Sequence, residues 1–170
     1  HEQERIDRPN GYGSHQLALC TEGEGYFVDE KSACHTIQKG DLFCFAPNAP
    51  HKYYPAENAK WEVSFIVFSG KCVNDLLAYL EFDKPTIIFK NLARYQDELK
   101  YSFDMIFNAF SSNTSYTLTR SSGLLYNLLL KLWEYDSMEI EKRSKIETGV
   151  LAPVIDFIAL YYNRPISLED

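Results

Sequence analysis

The sequence predicts a mainly β domain followed by helices: a small barrel or sandwich, then two antiparallel helices. Three observations predict it. Through residue 90, short runs of β-branched and aromatic residues alternate with Gly- and Pro-rich turns, the mark of an all-β core. From residue 92 the apolar spacing changes to steps of three and four, the period of an amphipathic helix. Twelve Tyr and eleven Phe provide large side chains for a core and polar tips for a pocket.

The strand-like runs are 15–21, 25–29, 33–38, 41–45 and 61–68. Turn residues separate them: Glu22-Gly23, Asp29-Glu30-Lys31, Lys39-Gly40 and the stretch from Pro47 to Pro50. Gly23 and Gly25 are expected to flank a tight turn between two strands, where a positive φ or a close approach excludes a side chain. The run 61–68 begins by alternating and ends wholly apolar, which predicts a strand buried on both faces near its end. Ser69-Gly70 closes it. A short helix over 72–82 and a returning strand over 85–90 follow.

The first long helix is predicted over 92–110, with Leu99, Phe103, Ile106, Phe107 and Phe110 as its stripe. Residues 111–114 make the turn. The second helix covers 116–135, with Leu118, Leu125, Leu128, Leu129, Leu132 and Trp133 on one broad face. Helices joined by so short a turn pack antiparallel. The charged stretch 138–148 has no apolar stripe and reads as a linker or an exposed helix. A new amphipathic pattern opens at Val150 and stops at Asn163-Arg164-Pro165. Ser167, followed by acids, would cap a further helix. The expected division is therefore a barrel over 1–90, a helical segment over 91–136, a linker over 137–149 and the opening of another helical unit over 150–170.

Composition excludes several functions. Seventeen basic residues against 24 acidic ones give a net charge of −7, and no Lys/Arg cluster exists to meet phosphates, so this chain is not expected to grip DNA by itself. Cysteines 20, 34, 44 and 72 show no CxxC spacing; they read as reduced thiols, partly in the core, rather than a zinc site or a disulfide framework. No apolar run approaches the ~20 residues of a membrane span, and no secretory leader precedes the first strand pattern. No membrane partner and a cytoplasmic location are expected.

Three segments carry a resemblance. They run from Ile6 through Arg8 to Gly25, from Gly40-Asp41 through Ala49-Pro50-His51 to Tyr53, and from Trp61 to Ser69-Gly70. In that order and spacing the chain resembles the sugar-sensing domain of AraC/XylS transcription regulators, a cupin-like β-barrel. The tail 153–170 resembles the first helix of that family's helix-turn-helix domain. The resemblance implies an effector held inside the barrel, an N-terminal arm before Arg8 that lids it, and a homodimer formed by the helices after the barrel. Operator DNA would be reached only through a C-terminal domain beyond residue 170. No cofactor is implied.

The resemblance places ligand contacts at Arg8, His51, Tyr53, Val63 and Phe65. Their chemistry suits a sugar: Arg8 offers a fork of donors, Tyr53 a hydroxyl and a ring, and Phe65 a flat face for a pyranose. Val63 and Phe65, two apart, share one face of a strand. Plainer roles stand beside these. Arg8 could pair with a surface acid, Tyr54 could take the inward place of Tyr53, and Phe65 could fill the core. In the family a His often stands where Val63 is, so a polar contact is missing there.

The rival reading is a metal-dependent cupin enzyme. Such a site needs a His-x-His pair, a Glu and a further His. Here only His51 matches, and Gln16 takes the Glu position, so neither catalysis nor a metal is expected. No Gly-x-Ser-x-Gly elbow or phosphate loop occurs either. A stand-alone carbohydrate-binding module is the third reading, and the helical second half argues against it. For the dimer, Leu125, Leu128, Leu129 and Leu132 are the expected contacts, because the helix carries more leucine than one core-facing stripe needs.

Overall fold

The computed structural model describes the backbone of residues 3–112 and 114–161, and the side chains of 3–112 and 114–142. Among the described residues, seven strands form two antiparallel sheets: β1 (Ile6–Arg8), β2 (His15–Val28), β3 (Cys34–Gln38), β4 (Leu42–Phe45), β5 (His51–Pro55), β6 (Trp61–Phe68) and β7 (Thr86–Phe89). One sheet runs β6-β2-β4-β7 and the other β1-β5-β2-β3. Strand β2 belongs to both. Its first half pairs with β4 and β6, and its second half with β3 and β5.

The expected turn at Glu22-Gly23 is instead a bend inside this one long strand. The β2–β6 register shifts between Cys20 and Glu22, a bulge that turns the strand from one sheet into the other. Gly23 has φ +79°, and a Cβ on it would meet the Lys60 carbonyl oxygen. A Cβ on Gly25 would lie 2.4 Å from the Trp61 ring. Both glycines serve close approach at the corner. Strands β1 and β5 were not anticipated as strands; each is short and lies beside Pro, and each is found by pairing with the other (Arg8 opposite His51, Ile6 opposite Tyr53).

The two sheets face each other across an aromatic core of Phe27, Phe43, Phe45, Tyr53 and Trp61, with Ala18, Cys20, Ile37 and Val63 between them. The other face of the first sheet carries Leu17, Leu19, Leu42 and Phe89, all buried. Helix α2 (Gln96–Ser111) lies against β2 and β6 and buries Leu99, Phe103 and Ile106. Helix α1 (Val73–Tyr79) buries Leu77, and its Asn74 Oδ1 lies 3.2 Å from His15 Nε2. On α2, Phe107 and Phe110 are exposed, so the buried stripe is narrower than its apolar spacing suggests.

Helix α3 spans Thr117–Tyr161. Lys131 Nζ meets Glu98 Oε1 at 2.7 Å, which joins α3 to the start of α2 and makes the pair antiparallel, as expected. The backbone is helical through 137–149, where a linker or exposed helix was expected. The chain divides into two units, 1–133 and 134–170. The apolar stripe from Val150 concerns side chains outside the described residues, as do the stop at Arg164-Pro165 and the cap at Ser167.

Candidate functional site

The register identifies which side chains line the barrel interior. On β5, His51 and Tyr53 face inward, opposite Arg8 and Ile6 of β1. Tyr54 takes the outer face, its ring 5.6 Å from Tyr26 and 5.7 Å from the Arg5 guanidinium. On the facing sheet, Gln16, Ala18 and Cys20 stand opposite Val67, Phe65 and Val63. Ala18 and Cys20 are core residues, so Val63, Phe65 and Val67 share the inner face. Val63 fills the core at 3% exposure, whereas Phe65 is 60% exposed at the open edge of its sheet. Its ring therefore does not serve as core packing.

Arg8 bridges the two sheets. Its Nη1 donates to Gln16 Oε1 at 2.9 Å, and its guanidinium carbon lies 4.6 Å from the centre of the Tyr12 ring. This replaces the surface ion pair considered from sequence. His51, 4% exposed, is packed between Phe45 (ring centres 3.9 Å apart) and Tyr53 (6.0 Å, nearly parallel). Its Nδ1 lies 2.7 Å from the Ala49 carbonyl oxygen. A carbonyl only accepts, so Nδ1 carries the hydrogen. Burial holds the His51 pKa below its ordinary value; the Arg8 charge pushes the same way, and the Ala49 bond partly opposes both. The ring is thus neutral, and Nε2 is a bare acceptor. It is buried and has no hydrogen-bond partner. Burial likewise raises the Tyr53 phenol pKa, with Arg8 opposing.

The structure thus brings Arg8, His51 and Tyr53 into one patch and sets Phe65 on the facing wall, while Val63 recedes into the core. Sequence reasoning missed Tyr12, Phe45 and Gln16 as parts of the patch. Gln16 was weighed only as an absent metal ligand, although counting back by twos from Val63's partner Cys20 puts it on the inner face. Among the described residues no group of three or more His, Cys, Asp or Glu is arranged to hold a metal.

The helix leucines require a correction. Leu128, Leu129 and Leu132 are buried within this chain and Leu125 is partly buried. The first three cannot form a free contact surface, because α3 turns that face inward. Between Thr117 and Trp133 the exposed large apolar residues of α3 are Leu118, Tyr126 and Trp133.

An opening lies between β3 and β7. There a cleft of about 320 Å³ is lined by Asp29, His35, Thr86, Ile88 and Lys90. His35 and Ile88 stand opposite the core residues Phe27 and Phe43, so the cleft faces the interior. His35 Nε2 meets Asp29 Oδ2 at 2.8 Å. Lys90 Nζ donates to Asp41 Oδ2 at 2.7 Å and to the Thr36 carbonyl. Nothing in the sequence signals this grouping, because its two halves are more than fifty residues apart.

The family model of the AraC-like ligand binding domain matches residues 1–129. The chain belongs to this family. No curated protein sequence matches this AraC-like domain. Among solved structures it is similar to ToxT K231A from Vibrio cholerae, with a TM-score of 0.57 at 12% identity, covering 81% of this chain and 54% of that one. It is also similar to ToxT bound to (E)-4-(8-methylnaphthalen-1-yl)but-3-enoic acid, with a TM-score of 0.52 at 11% identity, covering 79% and 53%. A third is the AraC-like transcriptional activator CuxR, at 0.51 and 10%, covering 75% and 44%. These likenesses support the fold, and the AraC-like chain spans about half the length of those proteins. No helix among its described residues is long and apolar enough to cross a membrane.

Proposed function

We propose that this domain is the effector-sensing and dimerising part of a cytoplasmic transcription regulator, and that its effector is a small hydroxylated molecule, a sugar or polyol. The observation that carries this reading is His51 Nε2, a buried bare acceptor beside Arg8 and Tyr53. A buried acceptor without a partner is costly, and an effector hydroxyl would donate to it. Arg8 would then donate to the same molecule's oxygens, and Phe65 would offer it an apolar face. A carboxylic acid is the second reading, supported by the guanidinium fork of Arg8 and by the acid held in a ToxT structure. DNA binding would belong to a further domain of the regulator, in keeping with the acidic charge here.

The test is a thermal-shift screen against monosaccharides, polyols and fatty acids, followed by calorimetry. Binding to the folded state raises the melting temperature by mass action. A sugar that stabilises the protein, but not its Arg8→Ala variant, supports the reading. Stabilisation by acids alone favours the second.

A further inference from the structure

We infer that the cleft between β3 and β7 is a second ligand site, separate from the Arg8 patch, and that it takes a neutral hydroxylated molecule of monosaccharide size. Its volume, about 320 Å³, lies at the small end of ligand pockets. The chemistry of its wall defines the class. Asp29 is held ionised: burial alone would raise its pKa, but hydrogen bonds from His35 and from the Ala33 and Lys31 amides lower it. The His35–Asp29 contact therefore runs from Nε2–H to the carboxylate, which leaves Nδ1 as the ring's remaining polar atom. Lys90 uses two of its three N–H groups on Asp41 and Thr36, which leaves one donor. Thr86 Oγ1 is buried with no hydrogen-bond partner and can both donate and accept. Ile88 supplies an apolar surface.

A ring nitrogen, an ammonium donor and an amphoteric hydroxyl around one apolar residue match adjacent hydroxyls, each of which both donates and accepts. A carboxylate can only accept, and here it would meet Asp29 while the Lys90 charge is already balanced by Asp41. A cation would meet Lys90. Neutral molecules avoid both penalties.

The test follows Thr86 methyl and His35 ring signals by NMR in the whole chain, titrated with D-xylose, L-arabinose, D-glucose and myo-inositol, with acetate as the anionic control. The expected result is a saturable shift with at least one of the four and none with acetate. Thr86→Val should weaken that binding about tenfold through loss of one hydrogen bond. Thr86→Ser should retain it, and Arg8→Ala should leave it unchanged. Three results would overturn the site: no saturable shift with any of the four, equal binding by Thr86→Val, or an equal response to acetate. A sugar that moves only Tyr53 and Tyr12 signals, and is lost in Arg8→Ala, would support the proposed function while removing this second site.

Discussion

Arg8 and Gln16 are joined across the seam of the barrel, Nη1 to Oε1 at 2.9 Å, although they stand on different sheets. A ligand entering there would meet a guanidinium already aimed at the interior. Arg8→Ala should weaken effector binding by about 1.5–3 kcal/mol, the worth of a charge-assisted hydrogen bond. Calorimetry with whichever effector the screen yields measures this.

Phe65 separates binding from folding. Because it is 60% exposed, Phe65→Ala should change stability by no more than about 0.5 kcal/mol while lowering affinity. Phe43→Ala, in the fully buried core, should cost about 3–5 kcal/mol. Urea denaturation of the two variants distinguishes them. Equal losses of stability would contradict the inner-edge placement of Phe65.

The close approach at the corner of β2 predicts a sensitive glycine. Gly25→Ala places a methyl 2.4 Å from the Trp61 ring, and the overpacking should cost about 1–3 kcal/mol. The fall in melting temperature, read by circular dichroism, checks it. Trp61→Phe combined with Gly25→Ala should recover part of the loss caused by the added methyl.

His51 makes stability depend on pH. Its pKa in the folded protein lies below the ordinary 6.5. The unfolded chain therefore binds the extra proton first as pH falls. The stability contribution is present above 6.5 and is lost as pH falls from there through the lower folded value. Melting temperatures across that range should decline, and His51→Gln should flatten the decline. An unchanged slope in the variant would show that another group carries it.

For assembly, we expect a dimer in light scattering at micromolar concentration, formed through Leu118, Tyr126 and Trp133 rather than the buried leucines. Tyr126→Asp should give a folded monomer. Leu128→Asp should instead destabilise the fold itself, because it buries an unpaired charge. A wild-type monomer, with and without effector, would refute the dimer.

Much of the fold was legible. The run 61–68 coincides with β6, and the helix turn near 111–114 falls where α2 ends. Alternation and helical period are local signals, so they survive in a single sequence. The strand pair β1–β5 was not legible, since three- and five-residue strands beside Pro become strands only by pairing with each other. The end of the second helix was also missed, because a polar face suits an exposed helix as well as a linker.

By itself the sequence determined the class of fold, the family and the types of group near a ligand: an arginine, a histidine and aromatics on alternating strands. Only the tertiary structure decided which of them meet. Val63 and Phe65 share a face, yet one is sealed in the core and the other lies open, because burial depends on what the opposite sheet brings over each position. The leucines of α3 looked like a surplus until α3 turned three of them inward. Asp29, His35, Thr86 and Lys90 become a cleft only when the barrel brings β3 and β7 together. Periodicity records which way a side chain points along its own element; what it points at is set by chain segments far away in sequence.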